Sequence, residues 1–141
     1  MDATSETILL ASKWLGSHAT FYQAALCLTT PAAPVTAQRV EVGDIPFATG
    51  MDISADGRRA IIASYSGAYE FTRRQDEDWA AAFARAPREL RMPDRRQGEA
   101  ICSGADDRSL YLTSKGRRQP LWLVPTRKGA APARPKVVPS L

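Results

Sequence analysis

The chain is poor in the residues that most often build metal and redox sites. It holds one histidine and two cysteines, Cys27 and Cys102, which lie far apart in the sequence. A zinc site made of cysteine and histidine needs several such ligands at short spacings, so the sequence argues against one. We therefore expect reduced, partly buried thiols, with a disulfide as the alternative, and no cofactor.

Long apolar runs are also missing. No stretch approaches the roughly 20 apolar residues that a transmembrane helix needs. The N-terminal residues, Met1–Glu6, are polar and acidic, whereas a signal peptide begins with basic and then apolar residues. The sequence therefore predicts a soluble chain with no membrane partner and a cytoplasmic location.

Charge of neither sign dominates. There are 19 lysines and arginines against 15 acidic residues, and this mild excess bears on solubility and non-specific binding more than on fold. Many of the basic residues fall in predicted turns or near the C-terminus: Arg91, Arg95, Arg96, Lys115, Arg117, Arg118, Arg127 and Lys128. Because no nucleic-acid motif accompanies them, the sequence argues against nucleic acid as the main partner. Weak binding of an anionic ligand or nucleic acid through these turns remains an alternative.

What the chain does contain is a segment that recurs about every fifty residues. Residues 51–65 are echoed by residues 101–115, and Ala55-Asp56 corresponds to Ala105-Asp106 at an offset of 50. The later half of the segment occurs a third time, at residues 8–13. A repeat of this length, made of short strands with turns between them, predicts the blades of a β-propeller.

Two parts of the repeat resemble a known group of proteins. The turn at residues 54–59, which reads SADGRR, is followed by an apolar strand and resembles a hairpin of bacterial WD40-like β-propellers. Residues 97–101 resemble the innermost blade strand of bacterial propellers, some of them phytase- or esterase-like. The resemblance covers roughly residues 5–125 and implies a fold more than an activity, because propellers serve many functions.

The predicted fold class is therefore all-β. We expect a partial β-propeller of antiparallel blades with three to four strands each. Three blades are predicted, at about residues 5–42, 47–92 and 97–125. The first of them begins at its middle, because no counterpart of the first strand precedes residue 8.

Two segments depart from the strand pattern. Asp76–Arg85 predicts one short inserted helix, because acidic residues favour a helix N-terminus and Trp79 and Phe83 would share a face. Residues 126–141 are rich in proline, alanine and basic residues, so they predict a disordered basic tail.

Too few blades are present to close a ring. Propellers have about four to eight blades, and open apolar strands favour aggregation. The sequence therefore predicts a homo-oligomer or docking to another propeller-completing chain, unless the chain is a piece of a longer propeller. Trp14, Phe21, Tyr22 and Trp122 are the predicted interface residues, since aromatic residues dominate such contacts. The function that this favours is a non-catalytic binding or scaffold module.

Two carboxylates are weak candidates for a metal site. Glu99 and Asp52 fall on predicted innermost strands, which line the channel of a propeller, where oxygen ligands can hold a cation. Two carboxylates are too few, and we expect them to bond to neighbouring backbone instead. No catalytic residues are predicted, because the adjacent Ser17 and His18 cannot form a triad. A fragment of a phytase- or esterase-like hydrolase is the alternative function.

Overall fold

The structure, a computed structural model, describes residues 2, 6–13, 16–26, 34–126 and 136–138, with the backbone alone for the last three. Its strands form three antiparallel sheets that follow one another along the chain, so the all-β prediction is confirmed. Within each sheet, every strand pairs with the next one in sequence.

Each sheet is built from one continuous part of the chain. The N-terminal sheet consists of β1 (Thr7–Ala11), β2 (Ala19–Ala25) and β3 (Gln38–Gly43). The middle sheet consists of β4 (Ala48–Ile53), β5 (Arg59–Ser64), β6 (Ala68–Thr72) and β7 (Arg88–Leu90). The C-terminal sheet consists of β8 (Gly98–Ser103), β9 (Ser109–Ser114), β10 (Leu121–Pro125) and β11 (Lys136–Val138).

The repeat seen in the sequence is the hairpin that opens the middle and C-terminal sheets. A backbone hydrogen bond of 2.9 Å joins Ser54 and Arg59, the ends of the first turn, and one of 2.8 Å joins Gly104 and Ser109, the ends of the second. In both turns the central aspartate accepts the backbone N–H two residues further on, at 3.0 Å. Aspartate stabilises turns in this way, so the two turns share this hydrogen bond at the aspartate that they have in common.

At one equivalent position the two turns carry different residues in the same backbone conformation. Gly57 adopts a φ of 66°, and Asp107, fifty residues later, adopts a φ of 51°. This left-handed conformation is easy for glycine and strained for most other residues, although aspartate tolerates it better than most. The backbone geometry of the turn is thus kept in both repeats, with a side chain added in the second.

The middle sheet lies between the other two and is buried by both. All six residues of β5 are buried. Its residues alternate between two apolar clusters: Ala60 and Ile62 pack with the N-terminal sheet, while Ile61 and Ala63 pack with the C-terminal sheet. A strand covered on both faces loses the polar alternation of a half-exposed strand, which explains the continuous apolar run here.

One short helix follows β6, which confirms the predicted insertion. Helix α1 (Trp79–Phe83) begins after Asp78, whose side chain accepts the backbone N–H of Ala81 at 2.7 Å. An aspartate at this position satisfies one of the free N–H groups at a helix N-terminus. Phe83 then stacks on Phe21 with ring centroids 4.2 Å apart, which fixes the helix against the N-terminal sheet.

Two predictions need correction. The tail at residues 126–141 is not disordered throughout, since Lys136–Val138 pairs with β10 and Thr126 is buried; the rest of the tail lies outside the described residues. Composition did not predict this strand, because the strand is formed by pairing with the edge of β10, and composition does not report such a contact.

The second correction concerns a cysteine. Cys102 is a free, exposed thiol rather than a partly buried one, because it lies on the outer side of β8. Cys27 is outside the described residues.

In the described part of the chain, no helix is long and apolar enough to span a bilayer.

We predict that Gly57→Ala destabilises the protein by about 1–2 kcal/mol, because alanine at a positive φ is strained. Gly67→Ala is the matched control, since an added Cβ there meets its nearest neighbour, the Ser64 hydroxyl, at an ordinary 3.7 Å. The free energy of unfolding, measured by urea denaturation, tests both changes. Equal effects of the two substitutions would contradict the assignment of strain to the turn.

Candidate interaction surfaces

The N-terminal sheet carries apolar side chains on the face turned away from the middle sheet. Phe21 is fully buried against the middle sheet, and successive side chains of a strand point to opposite faces. Tyr22 and its cross-strand partner Leu10 therefore lie on the outer face. Leu10 is 47% exposed, and Val42, on the same face through its pairing with Thr20, is 44% exposed.

The C-terminal sheet has a comparable outer face. The neighbours of Tyr111 along β9 are buried against the middle sheet, so Tyr111 itself points outward. Cys102 and Leu123 are its cross-strand partners on either side. Leu121, two residues from Leu123 on the same face, is 43% exposed. In the described part of the chain, the N-terminal sheet and the C-terminal sheet thus each have an apolar outer face.

An open strand edge lies beside the N-terminal face. In the sequence repeat, β1 corresponds to β5 and β9, which pair with β4 and β8, the first strands of their sheets. In the described residues β1 pairs with β2, and on its other side Thr7 exchanges two backbone hydrogen bonds with Asp2 at 2.9 and 3.1 Å. A groove of about 270 Å³ runs between this edge of β1 and β4. In the N-terminal sheet, the place that β4 and β8 take in the other two sheets is therefore a cleft.

The two candidate metal carboxylates both take part in contacts between sheets. Asp52 on β4 accepts the backbone N–H of Ser103 on β8 at 2.6 Å. Glu99 on β8 accepts from Lys13 at 3.2 Å and from the Gln97 side chain at 3.1 Å. The hydrogen bond to Glu99 raises the pKa of Lys13. Among the described residues no group of three or more His, Cys, Asp or Glu side chains is placed to hold a metal ion.

The predicted interface aromatics lie in different environments in the structure. Tyr22 lies on the outer face of the N-terminal sheet, as an interface residue requires. Trp122 lies on the inner side of β10 and packs against the cluster shared with the middle sheet. Phe21 has none of its surface exposed, so its assignment to an interface is wrong: it is a core residue between two sheets. Trp14 is outside the described residues.

The residues that sequence reasoning missed are the aliphatic ones on the outer faces, Leu10, Val42, Leu121 and Leu123. The signal that could have found them is strand alternation, because each lies one position from a residue that is buried or packs against the core: Leu9, Gly43, Trp122 and Val124. Aromatic content alone does not report which face of a strand a residue occupies.

One of the predicted turn charges is in fact an interior residue. Arg95 is only 7% exposed, and its guanidinium reaches the carbonyl of Gly67 at 3.4 Å. Burial lowers the pKa of Arg95. Its Nε and Nη1 atoms have no hydrogen-bond partner in the described structure. Arg91, Arg96, Lys115, Arg117 and Arg118 are exposed, as expected of turn residues.

Comparison with protein-family models, with curated proteins and with solved structures finds no match to this chain. Its function is therefore inferred from its own side chains and their geometry.

We predict that Asp52 acts as a backbone acceptor that joins the middle and C-terminal sheets. Asp52→Ala then costs about 1.5–3 kcal/mol, the usual worth of a hydrogen bond to a charged group. Asp52→Asn keeps a side-chain oxygen that can accept this N–H but loses the charge, so it should cost less than Asp52→Ala. Urea denaturation of both variants is the measurement; equal losses would show that the negative charge, and not the acceptor, matters.

Proposed function

We propose that this chain is a non-catalytic scaffold or binding module that associates with a second copy of itself, and that its three sheets serve as blades of a β-propeller. The observation that carries the proposal is the pair of apolar outer faces on the N-terminal and C-terminal sheets. Exposed apolar surface of this kind on a small protein marks an interaction site.

The middle sheet supplies the pattern for such an association. Both of its faces are covered by a neighbouring sheet through alternating apolar residues. The two outer faces present the same alternation, with Leu10 and Tyr22 on one and Leu121 and Leu123 on the other. Contact between them would repeat a packing that the chain already uses twice.

The direction of the contact follows from the order of the sheets. In a ring, each sheet has one face towards its predecessor and one towards its successor. The outer face of the N-terminal sheet would face a preceding sheet, and the outer face of the C-terminal sheet would face a following one. The N-terminal face of one copy therefore meets the C-terminal face of the other, and a two-fold axis repeats the contact and closes the ring.

The number of blades favours two copies. Two chains of three sheets give six blades, within the range of about four to eight that closed propellers have. Three chains would exceed that range. Burial of the two apolar contacts, at about 25 cal/mol per Å² of apolar surface, provides the driving force.

We expect light scattering after size exclusion to give twice the 15.4 kDa mass of the chain. Leu10→Glu and Leu121→Glu should each give a monomer, because each buries a carboxylate in both contacts of the dimer. Ser66→Glu, in the exposed turn between β5 and β6, adds the same charge away from both faces and should leave the dimer intact.

Mixing the two glutamate variants tests which faces meet. If the N-terminal face contacts the C-terminal face, a mixed pair has one unaltered contact, so a fraction of the mixture returns to the mass of a dimer. If instead the N-terminal face meets another N-terminal face, or the C-terminal face another C-terminal face, only one of the two variants is monomeric. Mixing the variants then does not return that variant to a dimer. A monomeric wild-type chain would refute self-association itself.

A further inference from the structure

A second feature, independent of the outer faces, is an arginine-rich pocket of about 600 Å³ on the middle sheet, next to the end of β10. Its lining includes two carboxylates, Asp56 and Glu70, and five arginines: Arg58, Arg59, Arg73, Arg74 and Arg88. We call it the arginine pocket. Its volume is in the range of small-molecule sites, about 300–1,000 Å³.

Arg59 lies at the base of the pocket and is held firmly. It is 7% exposed, and its Nη2 donates to the backbone carbonyl of Asp107 at 2.8 Å and to the Asp107 carboxylate at 3.3 Å. Its Nη1 is 4.0 Å from Glu70. Glu70 in turn accepts two hydrogen bonds from Arg88, at 2.9 and 3.2 Å. The base of the pocket is thus a fixed array of alternating charges.

Two atoms of this array make no hydrogen bond, although one of them, Glu70 Oε2, is the atom that lies 4.0 Å from Arg59 Nη1 in the ion pair. Arg59 Nε and Glu70 Oε2 are both buried and have no hydrogen-bond partner in the described structure. A buried donor or acceptor without a partner costs free energy, and such atoms in a native protein call for a water, an ion or a ligand. Arg59 Nε needs an acceptor, and Glu70 Oε2 needs a donor.

The rim of the pocket is positively charged. Arg58 and Arg74 are exposed, so their guanidinium groups can move towards a ligand. Arg73 is anchored by Asp2 at 3.1 Å and lies over the ring of Trp79 at 4.7 Å. Guanidinium groups pair with oxyanions through two parallel hydrogen bonds, which suits phosphate and carboxylate.

We propose that the arginine pocket binds a small organic phosphate that carries a hydroxyl group beside the phosphate. The phosphate meets the guanidinium groups of the rim and supplies an acceptor for Arg59 Nε. The hydroxyl donates to Glu70 Oε2. The pocket lies within one chain, so this binding does not require self-association, and each proposal can fail without the other.

The test uses the full chain and isothermal titration calorimetry at low ionic strength, with three probes: glycerol 3-phosphate, inorganic phosphate and glycerol. Glycerol 3-phosphate should bind most tightly. Inorganic phosphate should bind more weakly because it has no neighbouring hydroxyl, and glycerol should not bind. Added salt should weaken binding of both phosphates, since exposed charges are screened.

Two double variants with the same change of charge locate the site. Arg58→Ala with Arg74→Ala removes the rim of the pocket and should weaken binding of glycerol 3-phosphate by about 10-fold or more, because each lost charge-assisted hydrogen bond has a cost of that order. Arg117→Ala with Arg118→Ala removes two exposed arginines from the turn after β9 and should change affinity by less than about 2-fold.

Three results would overturn the proposal. The first is the absence of binding by wild-type protein. The second is an equal loss in the two double variants, which would show general attraction to basic turns. The third is equal affinity for glycerol 3-phosphate and inorganic phosphate, which would remove the role given to Glu70. Thermal melting of both variants controls for folding, as all four arginines are exposed.

Discussion

The rest of this structure depends on the burial of the middle sheet from both sides. β5 has no exposed residue, and its alternate side chains supply the cores shared with the N-terminal and C-terminal sheets. Removing either neighbour would expose one of these cores to water. The three sheets therefore stabilise one another, and no sheet has a complete core of its own. The same dependence leaves the two terminal sheets with one packed face and one apolar outer face.

Local chemistry was readable from the sequence wherever it is set by neighbouring residues. The turn at residues 54–59, its second copy, the short strands around both and the helix after β6 all follow from such patterns. Contacts between distant parts of the chain were not readable. Phe21 was assigned to an interface because it is aromatic, but the core that encloses it includes a helix more than fifty residues away. The strand Lys136–Val138 was missed because the residues around it are rich in proline, alanine and basic side chains.

The candidate sites show the same division. Asp52 and Glu99 were both expected to bond to neighbouring backbone. Asp52 accepts the backbone N–H of Ser103, whereas Glu99 accepts from the side chains of Lys13 and Gln97. The apolar outer faces could have been derived from strand alternation once the inward-facing residues were known. The arginine pocket could not, because its members are spread over the turn after β4, three strands and a loop, and only the sheet register brings them together. The proposed association and the proposed ligand binding would use separate surfaces of one chain.

The aspartate at the left-handed turn position distinguishes the two repeats. In the middle sheet Gly57 occupies this position without strain. In the C-terminal sheet the equivalent Asp107 accepts strain, and through its carbonyl and carboxylate it holds Arg59 of the preceding sheet. The repeats are therefore not interchangeable modules: a copy of the middle repeat placed last would have no carboxylate for Arg59. The order of the repeats along the chain therefore matters at this residue. In a shuffled or duplicated arrangement with glycine here, Arg59 would keep the backbone carbonyl as its partner but lose the carboxylate.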